Sequence, residues 1–194
     1  MRITRHSFRA LLAIVLTGMS ATATAACVEY GDRAGWIGIT PMSRGLNSLE
    51  QLRIIVNGDA VYVSGSRETP WDGWLYVVDV SDGTAPAVVD SLDVFTADVE
   101  RRDDHLYAAS ATGLKIVSLA DPLHPELVSH LELESGTYYV SLMGSFAYLS
   151  LDGMTGVAVD ISNPSRPQVV GPFDIPWSIS SLSCAGSTGY VGSD

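Results

Sequence analysis

Leu75–Asp82 reads LYVVDVSD, Leu114–Asp121 reads LKIVSLAD and Val157–Asn163 reads VAVDISN, three copies of one apolar core that closes on a short polar pair. Each is followed, four residues after its last polar residue, by a proline: Pro86, Pro125 and Pro167, spaced 39 and 42 apart. Upstream of each core lies a short segment built around a tyrosine: Tyr62 in AVYVS, Tyr107 in HLYAAS and Tyr148 in FAYLS. A fourth, Tyr190, stands in GYVGS, and these spacings are 45, 41 and 42. Two independent landmarks with one period near 42 mark an internal repeat.

Within one period the residues divide into four strand-like pieces. In the third unit these are Thr137–Met143, Phe146–Ser150, Gly156–Ile161 and Gln168–Gly171, separated by Gly144, Asp152-Gly153 and Asn163-Pro164. Such breaks punctuate strands for steric reasons. β-Branched and aromatic residues dominate the pieces, and no stretch beyond the N-terminal segment shows a 3.6-residue apolar stripe. Leu46–Ile55 is ambiguous and is read as a helical turn leading into a strand at Arg53–Val56. Four short strands in about 40 to 45 residues predict the blade of a β-propeller, because a thin twisted sheet with two apolar faces needs a neighbour on each side.

At these residues the chain resembles the LVIVD-repeat family, exported bacterial and archaeal proteins regarded as propeller blades. LYVVDVSD and VAVDISNP carry the likeness best and LKIVSLADP less well; it extends over Leu52–Asp194. Ser118 stands where the sister units have Asp79 and Asp160, and Gly83 where they have Pro122 and Pro164. The first departure is expected to alter a structural hydrogen bond, the second to loosen a turn. The expected fold is all-β, a propeller with units at 52–94, 95–136 and 137–177 and a partial one at 178–194. Those 143 residues hold roughly 3.4 blades where a closed ring has at least about four. The ring is therefore expected to be incomplete, as in a fragment of a longer precursor or a truncated product. Residues 27–51 are a lead-in or part-blade, with Trp36–Thr40 as an outer strand. An end at Asp194 would leave an open blade edge prone to self-association.

Residues 1–26 read as an export signal: Arg2, Arg5, His6 and Arg9 form a basic flank, Ala10–Met19 is too short to span a bilayer as a helix, and Ala23-Thr24-Ala25 offers a cleavage site. No second apolar run of membrane length follows, so the mature chain is expected outside the cytoplasm: periplasmic, secreted or on the cell surface. Net charge is −11, and removing the three N-terminal arginines leaves eight basic residues against 22 acidic ones, or −14. That charge disfavours nucleic acid and anionic membrane surfaces. Two readings compete for Cys27. Thr24-Ala25-Ala26-Cys27 resembles a lipoprotein box with Thr24 where leucine is preferred, and the only other cysteine, Cys184, offers a disulfide.

Strands that alternate in direction place the loops between second and third strands, together with those between blades, on one rim. The turns between first and second strands and the loops between third and fourth lie on the other. The second-to-third loop is longest in the first unit, Gly65–Asp72. Arg67, Glu68, Trp71, Asp72 and Trp74 cluster there, an aromatic and charged set that makes this rim the candidate binding surface. A covering role, with the tryptophans shielding the blade edge, fits the same residues.

Catalytic signals are absent. His105, His124 and His130 share no spacing, two cysteines lack the partners a metal would need, and no nucleophile elbow or phosphate loop occurs. The acidic run Asp90, Asp93, Asp98, Glu100, Asp103 and Asp104 reads as a solvated rim. Asp79 and Asp160, once per unit, read as turn caps. The expected function is a non-catalytic envelope module that binds protein or glycan and uses no cofactor. The rival is part of a propeller enzyme, hydrolase or oxidoreductase, whose channel site draws on several blades.

Overall fold

The computed structural model describes residues 53–66, 73–94, 97–151, 155–175 and 181–192. They form fourteen strands and no helix. The first sheet holds β1 (Arg53–Asn57), β2 (Ala60–Ser66), β3 (Gly73–Asp79) and β4 (Ala87–Leu92). The second holds β5 (Asp98–Arg102), β6 (His105–Ser110), β7 (Gly113–Ser118) and β8 (Glu126–Glu132), and the third β9 (Thr137–Met143), β10 (Phe146–Leu151), β11 (Thr155–Asp160) and β12 (Gln168–Asp174). A hairpin follows, β13 (Ser181–Ala185) with β14 (Thr188–Gly192). Each sheet is an antiparallel meander in chain order. The first strands neighbour one another in the series β1, β5, β9, β13, so three blades and the first hairpin of a fourth stand around a common inner edge. Among the described residues the fold is the series of propeller blades expected from the repeats. Residues 1–52, which include the segment read as an export signal, Cys27 and Trp36–Thr40, lie outside the described residues.

Burial explains the strand sequences. The middle strands are covered on both faces, which is why β3 and β7 read as nearly unbroken apolar runs, whereas β4 and β8 alternate as half-exposed outer strands do. Tyr62, Leu75 and Val77 of the first blade pack against Val99, Leu106 and Ala108 of the second. The alternate face of the second blade, Tyr107, Ala109, Leu114 and Ile116, packs against Val140, Leu149 and Val159 of the third. Successive residues of β6 thus serve opposite neighbours, as the two-residue period of a strand requires. Each outer strand carries a β-bulge at the same place, bringing an extra residue, Val89, Val128 or Val170, opposite its partner strand. Bulges twist an edge away from further pairing.

The repeated aspartates are turn caps. Asp79 and Asp160 accept the backbone N–H of Ser81 and Ser162, each at 2.8 Å, which holds both carboxyls below the usual range. Ser118 keeps the same bond to Ala120 N–H, lengthened to 3.2 Å. The substitution therefore weakens the cap without removing it. The next turn repeats as well: Asp82, Asp121 and Asn163 each accept from the residue two further on. Gly83 sits in this turn without disturbing the pattern.

Candidate functional site

A first strand has a partner on one side only, so every second N–H along its inner edge needs an acceptor from elsewhere. The preceding blade supplies it. Asp98 on β5 accepts from Val140 N–H at 3.2 Å, and Glu100 accepts from Leu142 N–H at 2.9 Å. Ser141 Oγ accepts from Cys184 N–H at 2.9 Å while donating to Glu100 at 3.2 Å. On β1 the equivalent positions are Arg53 and Ile55, which carry no acceptor, and Arg53 instead donates from Nε to Asp98 at 2.7 Å. Asp98 and Glu100 are therefore not part of a solvated rim. Asp98 is 7% exposed, and the alternation of β5 turns both carboxylates toward the third blade.

Burial pushes the Glu100 carboxyl above its ordinary range, against the lowering effect of its two hydrogen bonds. A carboxyl whose pKa rises on folding holds its proton more tightly in the native state, so its ionised form weakens the fold at neutral pH and the deficit disappears on acidification. Glu100→Gln is expected to raise the melting temperature at pH 7. The gap to the parent should narrow as the pH falls through Glu100's raised pKa toward the usual glutamate range, as calorimetry at stepped pH would show.

Of the rim residues singled out in the sequence, only Trp74 lies among the described ones. It stands on β3 opposite Gly65 and packs against the far-face cluster of the first blade, Val61, Val63, Tyr76, Val78 and Val80. Arg67, Glu68, Trp71 and Asp72 lie outside the described residues, in the connection between β2 and β3. Cys184 is half-buried on β13 with a free thiol, and its bridge to Cys27, or an acyl chain on Cys27, involves a residue outside the described set. His124, of the second blade, reaches Asp90 of the first at 3.4 Å, and His130 reaches Thr112 within the second blade at 2.9 Å. Among the described residues no three His, Cys, Asp or Glu side chains gather as a metal site would require.

Two concavities among the described residues stand out. One, about 560 Å³, is an apolar groove between the outer half of the third blade and the fourth hairpin, lined by Tyr148, Pro172, Phe173, Leu182 and Val191. The other, about 420 Å³, is polar and lies between the second and third blades on the rim opposite the long loop. Arg102, Asp103, His105 and Tyr107 form one wall, with Ser145 and Ser162 across from them. The Arg102 guanidinium donates to the carbonyl of Gly144 and ties the two turns together. Asp103 holds φ +50° where the matching turns use Gly58, Gly144 and Gly186. A side chain at that backbone angle is strained. In the sequence Tyr107 stood only as a landmark of the repeat period.

Separate four-stranded meanders set around one inner edge define the class, a repeat protein of propeller blades. The family model described as the LVIVD repeat matches residues 53–94 and 137–175, the first and third blades, and the chain carries LVIVD repeats there. No curated protein matches the chain. Among solved structures it is similar to the computationally designed Ika8 protein, with TM-score 0.53 and 15% identity over 72% of this chain, a likeness of fold alone. The chain spans 41% of that protein's length.

Proposed function

We propose that the chain is an exported, non-catalytic propeller module that binds a protein or glycan at the cell envelope. The observation that carries this reading is a difference among blades of otherwise equal strands. The second-to-third connection has six residues in the first blade, two in the second and three in the third. A scaffold loop lengthened in one repeat, and loaded with Arg67, Glu68, Trp71 and Asp72, has the chemistry of a binding surface. Replacing residues 67–72 by Ala-Thr, as at 111–112, is expected to move the melting temperature by only a few degrees and to abolish binding to envelope fractions and purified surface polysaccharides. Equal binding by the parent and the replaced chain, or none by the parent, overturns the reading.

Export is supported by the basic flank, short apolar stretch and small-residue site of residues 1–26. Intact mass of the mature chain tests it, by loss of the first 25 or so residues. A gain of two hydrogens under reductant marks the Cys27–Cys184 bridge, and an acyl mass on Cys27 marks a lipoprotein. Tyr190 and Val191, 59% and 42% exposed on β14, support self-association through that edge, checked by solution mass across a concentration series. The rival reading, part of a propeller enzyme, draws support from Glu100 on the inner edge, whose carboxyl burial pushes up, since a perturbed carboxyl is one mark of an active site. Turnover of ester, lactone or phosphate substrates that Glu100→Gln abolishes would establish it.

A further inference from the structure

At the polar cleft between the second and third blades the hydrogen bonding departs from that between the first and second. Between the first and second blades the Tyr62 hydroxyl donates to the carbonyl of Pro122 at 2.9 Å. The corresponding carbonyl in the third blade, Pro164, is already taken by Ser129 Oγ at 2.7 Å. The residue matching Ser129 in the first blade is Asp90, whose carboxylate cannot donate. Tyr107, the counterpart of Tyr62, lines the cleft, is 3% exposed, and has no hydrogen-bond partner among the described residues. Its hydroxyl opens on the cleft, where water is the partner at hand and a ligand hydroxyl can replace that water.

We propose that this cleft binds a neutral saccharide unit, with the Tyr107 hydroxyl as its innermost polar contact. Its volume of about 420 Å³ lies within the usual range of small-molecule sites. Charge narrows the ligand class. Asp103 and Asp104 outweigh Arg102, which disfavours an anion, while the guanidinium at the wall disfavours a cation. Sugar hydroxyls both donate and accept. Carboxylates, a guanidinium, the hydroxyls of Ser145 and Ser162 and a phenol offer the complementary mixture, and the half-buried His105 ring adds apolar surface for a pyranose face. The site lies on the rim opposite the lengthened loop, so it stands or falls separately from the surface proposed there.

The test is titration of the full chain with methyl glycosides of glucose, galactose, mannose and N-acetylglucosamine, followed by amide chemical shifts. Sodium sulfate and glucuronate serve as anionic probes. At least one neutral glycoside is expected to bind with Kd on the order of millimolar, shifting residues 102–107, 144–145 and 161–164. Tyr107→Phe removes only the unpartnered hydroxyl, so its melting temperature should match the parent's while affinity falls about tenfold. Tyr62→Phe should do the reverse, lowering the melting temperature by a few degrees through loss of the Pro122 bond and leaving affinity unchanged. The chain with residues 67–72 replaced should bind as the parent does. No shift with any neutral glycoside, equal affinity in Tyr107→Phe, or a stronger response to sulfate than to the sugars would overturn the proposal.

Discussion

Gly113→Ala is expected to destabilise the chain by about 3–5 kcal/mol and to lower its melting temperature by on the order of 10 °C. Two effects add. Gly113 opens β7 at φ +125°, a backbone angle that side chains rarely adopt and that costs about 1–3 kcal/mol to impose. A Cβ there would also stand 2.2 Å from the carbonyl oxygen of Leu131 and 2.9 Å from the amide nitrogen of Leu133. Both neighbours are backbone, and Leu133 N–H is held by Thr112 at 3.0 Å, so neither can give way alone. The Gly113 carbonyl meanwhile accepts from Ser110 Oγ at 2.8 Å and Thr137 Oγ1 at 3.1 Å, which ties the turn to the start of the third blade. Gly58→Ala supplies the comparison. Its φ is +60° with nothing within 4 Å of the new Cβ, so it should lose about 1 kcal/mol through backbone strain alone. Equal losses for the two variants in denaturant titration would show that the contact at Gly113 relaxes freely.

What the sequence disclosed follows from which interactions repeat. The period near 42 survives because every blade needs the same tyrosine, the same polar cap and the same turn. The third unit's first three strands were legible to within a residue, with β9 running over Thr137–Met143 as read, whereas β12 continues three residues past the expected Gly171 to Asp174. Asp79 and Asp160 were legible as caps because short-range bonds leave a short-range pattern. The inner edge was not. DVERRDD at 98–104 looks like a charged surface run, and only the pairing of β5 with β6 reveals that alternate residues face the next blade. A carboxylate that accepts an N–H 42 residues away leaves no local trace. The outer-strand bulges were hidden too, since a single extra valine inside a β-branched run looks like continued strand.

The cleft was half legible for the same reason. Tyr107 appeared as one of four equivalent tyrosines, and equivalence argues for a shared structural duty. Its difference from Tyr62 goes with Ser129, a residue of another strand whose hydroxyl donates to the carbonyl of Pro164, the counterpart of Pro122. Nothing in the spacing of Tyr107 encodes that difference. Function in a repeat protein lies where a repeated contact is broken, and finding the break requires the partner's identity as well as the period.

Leu149→Ala is expected to cost about 2–5 kcal/mol and, more informatively, to split the unfolding transition in two. Leu149 is wholly buried on β10, in the apolar layer that joins the second and third blades. Its removal leaves a cavity bounded by Ile116 and Leu114 on one sheet and Val157 and Val159 on its own. Stacked blades touch only their neighbours, so stability resembles a sum of intrinsic and interface contributions along one dimension. Weakening this interface should let the third blade and fourth hairpin melt before the first two. The layer between the first and second blades, which includes Tyr62, Leu75 and Leu106, is untouched by the change and should keep its own midpoint. Hydrogen exchange would distinguish the outcomes. Early loss of protection confined to residues 137–192 fits an interface fracture, whereas uniform loss along the chain would mean that the three blades and the hairpin fold as one cooperative unit.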